Sequence, residues 1–367
     1  MKKIPLTRPF MNQEIKDRVC SVLDSGFLTE GPVTAELEKA FEEYVGCAHA
    51  IAVTSCTTGL EMALRALGIG PGDEVIVPDY TYPATADVVA IVGAKIVLVD
   101  VSPETMLIDY DQAEKAITTR TKAILPVSCF GNPLDYDRLN ALKQKNGVFI
   151  VEDAACSLGA DYKGIKVGNL ADISVFSLHP RKTITTGEGG MITTNNPEWA
   201  DWMRSYKHFG MISSATRSES LFGRIGTNYK LSDILAAVGV IQLRAADRLL
   251  QRRTALARNY ESLLDSKRIT IPKTSQHGVH AYQSFCIFIK DRDRILLQMR
   301  EKGIEVQIGT YSLHMHPVFK ESSLCHQTCG MPESKSVYLH CLALPLYFEL
   351  TESDQSLVVD TLLYLMD

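Results

Sequence analysis

Phe176-Ser-Leu-His-Pro-Arg-Lys182-Thr-Ile-Thr-Thr-Gly-Glu-Gly-Gly190 continues an alternating run, Ile173-Ser-Val-Phe-Ser, and leads into a second β-type run, Met191-Ile-Thr-Thr. Alternation of apolar and polar residues reads as a strand, and the paired glycines free the backbone to turn. The stretch therefore predicts strand, turn and strand, with Lys182 at the junction. A lysine in that position is a candidate catalytic amine. A solvated loop lysine would have the same local sequence.

Upstream, Val148-Phe-Ile-Val-Glu-Asp153-Ala-Ala-Cys reads as a buried strand that ends in an acid. A carboxylate in such a place needs a partner. A pyridinium nitrogen is one, because a carboxylate beside it keeps the ring protonated and able to accept electrons. An ion pair or a helix cap is the alternative. Further upstream, Ile51-Ala-Val-Thr-Ser-Cys-Thr57-Thr58-Gly-Leu-Glu joins a short strand to an amphipathic helix through small hydroxylated residues. Backbone N–H groups at a helix start favour a phosphate, and the Thr57 and Thr58 hydroxyls would add donors. N-capping by Ser55 or Thr57 requires no ligand at all.

An amine, a carboxylate and a phosphate cradle are together the parts of a pyridoxal phosphate site. At this point the chain resembles the DegT/DnrJ/EryC1/StrS sugar aminotransferases of the aspartate aminotransferase superfamily, fold type I. The resemblance runs nearly end to end. Its landmarks are Gly26-Phe-Leu-Thr-Glu-Gly-Pro32, Pro71-Gly-Asp-Glu-Val-Ile-Val-Pro78-Asp-Tyr-Thr-Tyr82-Pro-Ala-Thr85, Glu152-Asp153-Ala-Ala, the Lys182 segment, Gly226-Thr-Asn228-Tyr-Lys230, and Leu344-Pro-Leu-Tyr347. It implies that Lys182 forms the Schiff base, Asp153 meets the pyridine nitrogen, Tyr82 stacks on the ring and Ser177 contacts the phosphate. Asn228 is implied to reach the cofactor phosphate of a neighbouring subunit, hence a homodimer with shared active sites.

Two positions depart from the family pattern. Cys156 stands where glutamine, or sometimes histidine, meets the cofactor's phenolic oxygen, and a thiol is a weaker donor. Lys230 replaces an arginine, which keeps the charge and loses the planar fork. Relatives with histidine at the Schiff-base position are dehydratases, so Lys182 favours transamination. The implied reaction is a ping-pong transfer from L-glutamate to a nucleotide-linked keto sugar, a 4-keto-6-deoxyhexose first among them. Another phosphorylated or nucleotide-linked ketone is the alternative acceptor. Thr29, His179, His208 and Tyr311 are the candidate substrate contacts, although a structurally packed histidine or tyrosine reads the same way.

The chain has 367 residues, with 38 basic and 43 acidic side chains and a formal charge of −5, so no basic excess points to nucleic acid. Its nine cysteines are scattered and odd in number, which predicts reduced thiols. Cys325-His-Gln-Thr-Cys329, with His314 and His316 nearby, lacks the paired spacing of a zinc site, and no metal is expected. The opening Met1-Lys-Lys-Ile-Pro-Leu-Thr-Arg-Pro has no apolar stretch behind its charge, which predicts no signal peptide and a cytoplasmic protein.

Alternating helix and strand patterns predict an α/β fold. Strands are expected at 51–54, 74–77, 95–99, 122–127, 148–152, 173–177 and 190–194. Helices are expected at 12–24, 34–45, 58–67, 83–92, 135–145, 231–244 and about 246–265. The fold type I resemblance makes this a mixed, mostly parallel seven-stranded sheet in a large domain, 1–247. A smaller C-terminal α/β domain, 248–367, follows it.

Overall fold

A computed structural model describes residues 3–213, 216–265 and 267–367. All seven strands read from the sequence are present in one sheet, and a short eighth joins them. The order across the sheet is His49–Val53, Gly190–Thr194, Ile173–Ser177, Phe149–Asp153, Thr121–Ile124, Glu74–Pro78, Lys95–Val99 and Cys325–Gln327. Neighbours from Ile173–Ser177 onward run parallel. The two pairings made by Gly190–Thr194 are antiparallel. The added strand is the Cys325-His-Gln segment, which lies along the edge of the sheet with Cys325 opposite Ile96.

Successive side chains of a strand leave opposite faces, and a parallel sheet covered by helices buries both. Val75, Val77, Ile96, Leu98, Val151 and Val175 accordingly pack in one cluster. Ile76, Val97, Val99, Ile124, Ile150 and Phe176 pack in another on the opposite face. Helices Cys56–Ala66 and Ala84–Ile91 contribute to the first, and Pro32–Val45 and Asp233–Arg244 to the second.

A third cluster surrounds a three-stranded sheet of Phe285–Phe288, Cys341–Leu344 and Gln307–Ile308. Helices Ala246–Leu263, Arg292–Glu301 and Glu352–Met366 cover it. Between the last two strands of that sheet the chain travels back to the large one. Tyr311–Ser312 pairs with Tyr80–Thr81, and Cys325–Gln327 closes the edge. Asp79 anchors this return: it is fully buried and accepts from His314 Nδ1 at 2.7 Å, the His314 N–H at 2.7 Å and Ser312 Oγ at 2.8 Å.

Glu152, adjacent to the candidate ring partner, points to the other side of its strand. It is wholly buried, and burial pushes its carboxyl above the ordinary range against the hydrogen bonds it accepts. Those bonds come from Tyr136 Oη at 2.6 Å, Ser174 Oγ at 2.8 Å and the Ser128 hydroxyl. An acceptor sealed from water loses the full value of a missing donor. Tyr136→Phe should therefore destabilise the chain by about 1–3 kcal/mol in a denaturant melt. A melt matching wild type would remove this network from the account of stability.

Candidate functional site

The strands Phe149–Asp153 and Ile173–Ser177 are parallel neighbours, so Asp153 and Ser177 both lie at carboxyl ends, where open α/β sheets present their ligand sites. Asp153 is 5% exposed. Its Oδ2 accepts from Thr85 Oγ1 at 2.7 Å and its Oδ1 from the Ala155 N–H at 3.1 Å, with Cys56 Sγ at 3.9 Å. Burial raises its pKa above the usual value, and the Thr85 and Ala155 hydrogen bonds and the Lys182 charge only partly offset this.

Lys182 sits on the loop leaving Ile173–Ser177. The loop folds on itself: the Lys182 N–H donates to the His179 carbonyl at 2.9 Å, and the His179 N–H donates to Ser177 Oγ at 3.3 Å. Its return is fixed by the Leu178 N–H donating to the Gly189 carbonyl at 2.9 Å. From the C-terminal part of the chain, Gln283 Nε2 donates to the Arg181 carbonyl at 2.8 Å. Lys182 Nζ reaches Cys156 Sγ at 3.1 Å. Burial opposes charge on this amine, but its interactions with Cys156, then Cys56 and Asp153, outweigh burial and raise its pKa. The amine, both thiols, the carboxylate and Thr85 thus form one connected cluster.

Helix Cys56–Ala66 begins beside it. Ser55 is the N-cap and closes a capping box with Thr58, whose hydroxyl donates to the Ser55 carbonyl at 2.9 Å. The capping alternative is realised at Ser55, and Thr57 is the exposed hydroxyl of the turn. Gly190 permits the approach of this helix start to the sheet. A Cβ there would lie 2.6 Å from the Ser55 carbonyl carbon and 2.7 Å from the Cys56 nitrogen.

Tyr82 is 65% exposed, and the Tyr80–Thr81 pairing brings Tyr311 to it, with ring centroids 6.1 Å apart. His179 and His208 are half-buried, and burial lowers the pKa of each. His208 and Asn228 form an isolated antiparallel β-bridge within the chain. Asn228 is exposed, and its Oδ1 accepts from Lys230 Nζ at 2.6 Å. The following residue crosses to the helix turn, where the Thr54 N–H donates to the Tyr229 carbonyl at 3.1 Å. Thr29 is exposed on the loop before Pro32–Val45, and its carbonyl accepts from the Asp233 N–H at 3.1 Å.

Sequence reasoning assigned no role to Thr85, Cys56 or Gln283. Thr85 lay inside a quoted motif and is spaced four residues from Thr81, with which it shares a 2.9 Å hydroxyl contact. That spacing on a helix start was the available signal. Gln283 carried none.

Comparison with known proteins gives a consistent result. The profile of the DegT/DnrJ/EryC1/StrS aminotransferase family matches residues 9–363. The uncharacterized protein MJ1066 of Methanocaldococcus jannaschii is 34% identical over 365 residues, spanning 96% of this chain and 94% of its own. The structure of a DegT DnrJ EryC1 StrS aminotransferase from Brucella abortus is 33% identical and superposes over 96% of this chain and 95% of its own, with a TM-score of 0.90. The putative sugar aminotransferase Spr1654 from Streptococcus pneumoniae, solved in a PMP-form, is 29% identical over 99% of both chains, with a TM-score of 0.94. Its PLP-form gives the same TM-score of 0.94.

Proposed function

The chain belongs to the DegT/DnrJ/EryC1/StrS aminotransferase family and is a pyridoxal phosphate-dependent sugar aminotransferase; from that premise we propose that it transfers an amino group from L-glutamate to a nucleotide-linked keto sugar, a 4-keto-6-deoxyhexose first among them. The observation that carries this reading is the Lys182–Cys156–Asp153 cluster at the carboxyl ends of two adjacent parallel strands.

The residues present fit the cofactor. Asp153 is a buried carboxylate with its charge only partly satisfied, which a pyridinium nitrogen would complete. The helix start at Ser55, with Thr57 exposed and Ser177 nearby at a strand end, offers donors for a phosphate. Tyr82 presents an open aromatic face. Cys156, beside Lys182, is the group placed to meet the phenolic oxygen. When bound, pyridoxal phosphate supplies an electron-accepting ring and a carbonyl carbon that carries the amino group between substrates.

In this reading Lys182 Nζ is the group that would hold the cofactor. The same amine would serve as the base and acid that takes a proton from the amino donor's α-carbon and gives one back to the sugar carbon. Asp153 would keep the ring nitrogen protonated. Thr85 and the Ala155 N–H keep that carboxylate oriented. Thr29, His179, His208 and Tyr311 are the proposed sugar contacts, and Tyr311 is the one packed nearest Tyr82.

A second copy completes the proposed site through its Asn228. Support comes from the excursion between His208 and Asn228, which exposes Phe209, Ile212, Leu221, Phe222 and Ile225, the last at 94%. Exposed large apolar side chains concentrated in one segment are what an interface would cover. Asn228→Ala and Lys182→Ala chains, each inactive alone, should regain activity when co-assembled, because one site of the mixed dimer then holds both native residues. Activity that is only the weighted sum of the two parents would count against sharing.

The reaction itself is tested by absorbance. L-glutamate should shift the long-wavelength band of the loaded protein to shorter wavelength, and a panel of nucleotide-linked keto sugars should restore it. A band indifferent to glutamate and to other amino acids would overturn the reading.

A further inference from the structure

The contact between Lys182 Nζ and Cys156 Sγ, 3.1 Å, joins the chain's candidate cofactor amine to an oxidisable sulfur. We propose that, in the cofactor-free protein, a hydroperoxide converts this pair into a covalent, thiol-reversible nitrogen–sulfur cross-link that closes the site to the cofactor. The closure, though not the bond chemistry, rests on reading Lys182 as the cofactor-holding residue.

In the first step the Cys156 sulfur attacks the peroxide. A sulfur–oxygen bond forms, the oxygen–oxygen bond breaks, and water or an alcohol leaves. Sulfur is oxidised by two electrons to a sulfenic acid as the peroxide is reduced. In the second step the Lys182 amine attacks that sulfur. The nitrogen–sulfur bond forms, the sulfur–oxygen bond breaks, and the hydroxyl leaves as water with one proton from the amine. Two equivalents of an external thiol reverse the change, returning Cys156 and Lys182 and releasing a disulfide.

Three features favour this outcome over other fates of the sulfur. The amine is already hydrogen-bonded to the sulfur at 3.1 Å. The first step also changes the amine's surroundings: Cys156 is the leading influence opposing burial at Lys182, and oxidation removes the thiol sulfur as the hydrogen-bond partner of the ammonium. Burial is then left to favour the neutral, nucleophilic amine. Finally, the rival resolving thiols are poorly placed to compete, because burial pushes both Cys56 and Cys129 well above the ordinary thiol range.

The test uses the full chain, cofactor-free and loaded, treated with hydrogen peroxide and read by intact and peptide mass spectrometry. The cofactor-free chain should lose two hydrogens in a species joining the peptides of Cys156 and Lys182, and dithiothreitol should reverse this. Uptake of pyridoxal phosphate, followed by its absorbance band, should fall in proportion to the cross-linked fraction and recover on reduction. With cofactor at about ten times its Kd, the cross-link should fall about tenfold. Cys156→Ser should abolish it, and Lys182→Ala should instead leave a sulfenic acid on Cys156 that dimedone traps. A reduced or over-oxidised Cys156, or one bonded to Cys56 or Cys129 with Lys182 intact, would overturn the proposal. Failure of the cofactor assignment has a separate signature: the cross-link still forms, but pyridoxal phosphate does not suppress it.

Discussion

Lys182→Ala should reduce transamination by on the order of 10²–10⁴-fold, the range set by losing a positioned proton-transfer group, while leaving the fold intact. The side chain is tied to its surroundings mainly through Cys156 Sγ, and its amine is buried at the end of a loop whose turns are fixed by backbone hydrogen bonds. Asp153 loses the Lys182 charge but none of its hydrogen bonds, so a thermal melt of the cofactor-free variant should fall only modestly below wild type. Borohydride should fix the cofactor to the Lys182 peptide in wild type and to no peptide in the variant. The variant should still bind pyridoxal phosphate through the phosphate and ring contacts, with weaker retention. A small external amine should restore part of the lost rate, since a diffusible amine can stand in for the missing side chain as a base though not as an anchor. Full turnover in the variant would move the chemistry to another residue.

The framework of this site was legible because its parts are local. Each parallel strand is a short run of β-branched and aromatic residues ended by a turn, so Phe149–Asp153 and Ile173–Ser177 could be read from a few residues each. Lys182 and Asp153 stand at ends of such runs and were visible for the same reason. The start of helix Cys56–Ala66 was displaced by two residues from the expected 58, since both Ser55 and Thr57 are capping residues and only the fold selects Ser55. What remained hidden depends on pairs distant in sequence. Thr85 meets Asp153 across 68 residues, and Gln283 meets Arg181 across 102. No periodicity encodes either contact. The edge strand Cys325–Gln327 is three residues long, too short for alternation to register, and its pairing depends on the anchor that Asp79 gives to the returning chain. The departure at Cys156 from the family pattern was apparent, but its contact with Lys182 was not.

Asp153→Asn should act in opposite directions on the empty and the loaded protein. The carboxyl's pKa is raised in the folded chain, chiefly by burial. A raised carboxyl favours folding below its unfolded value, near 3.9, and that contribution is lost as pH rises through the folded value. At neutral pH the ionised Asp153 is therefore a burden on the cofactor-free fold. Asparagine keeps the shape, can accept from the Ala155 N–H through its one amide oxygen and turn its NH2 toward the Thr85 hydroxyl oxygen, and carries no charge to bury. The cofactor-free variant should melt higher than wild type at pH 7 and 8, and the gap should shrink toward pH 4. The loaded protein should show the reverse. Wild type gains about 2.7 kcal/mol from cofactor at 100 times its Kd, and the variant should gain less at the same concentration, because its amide cannot hold a proton on the ring nitrogen. Its turnover should fall on the order of a hundred- to a thousandfold, the scale seen when one preorganised electrostatic partner is removed. A variant that melts lower without cofactor and keeps its turnover would show that Asp153 serves the fold through Thr85, with some other group facing the ring.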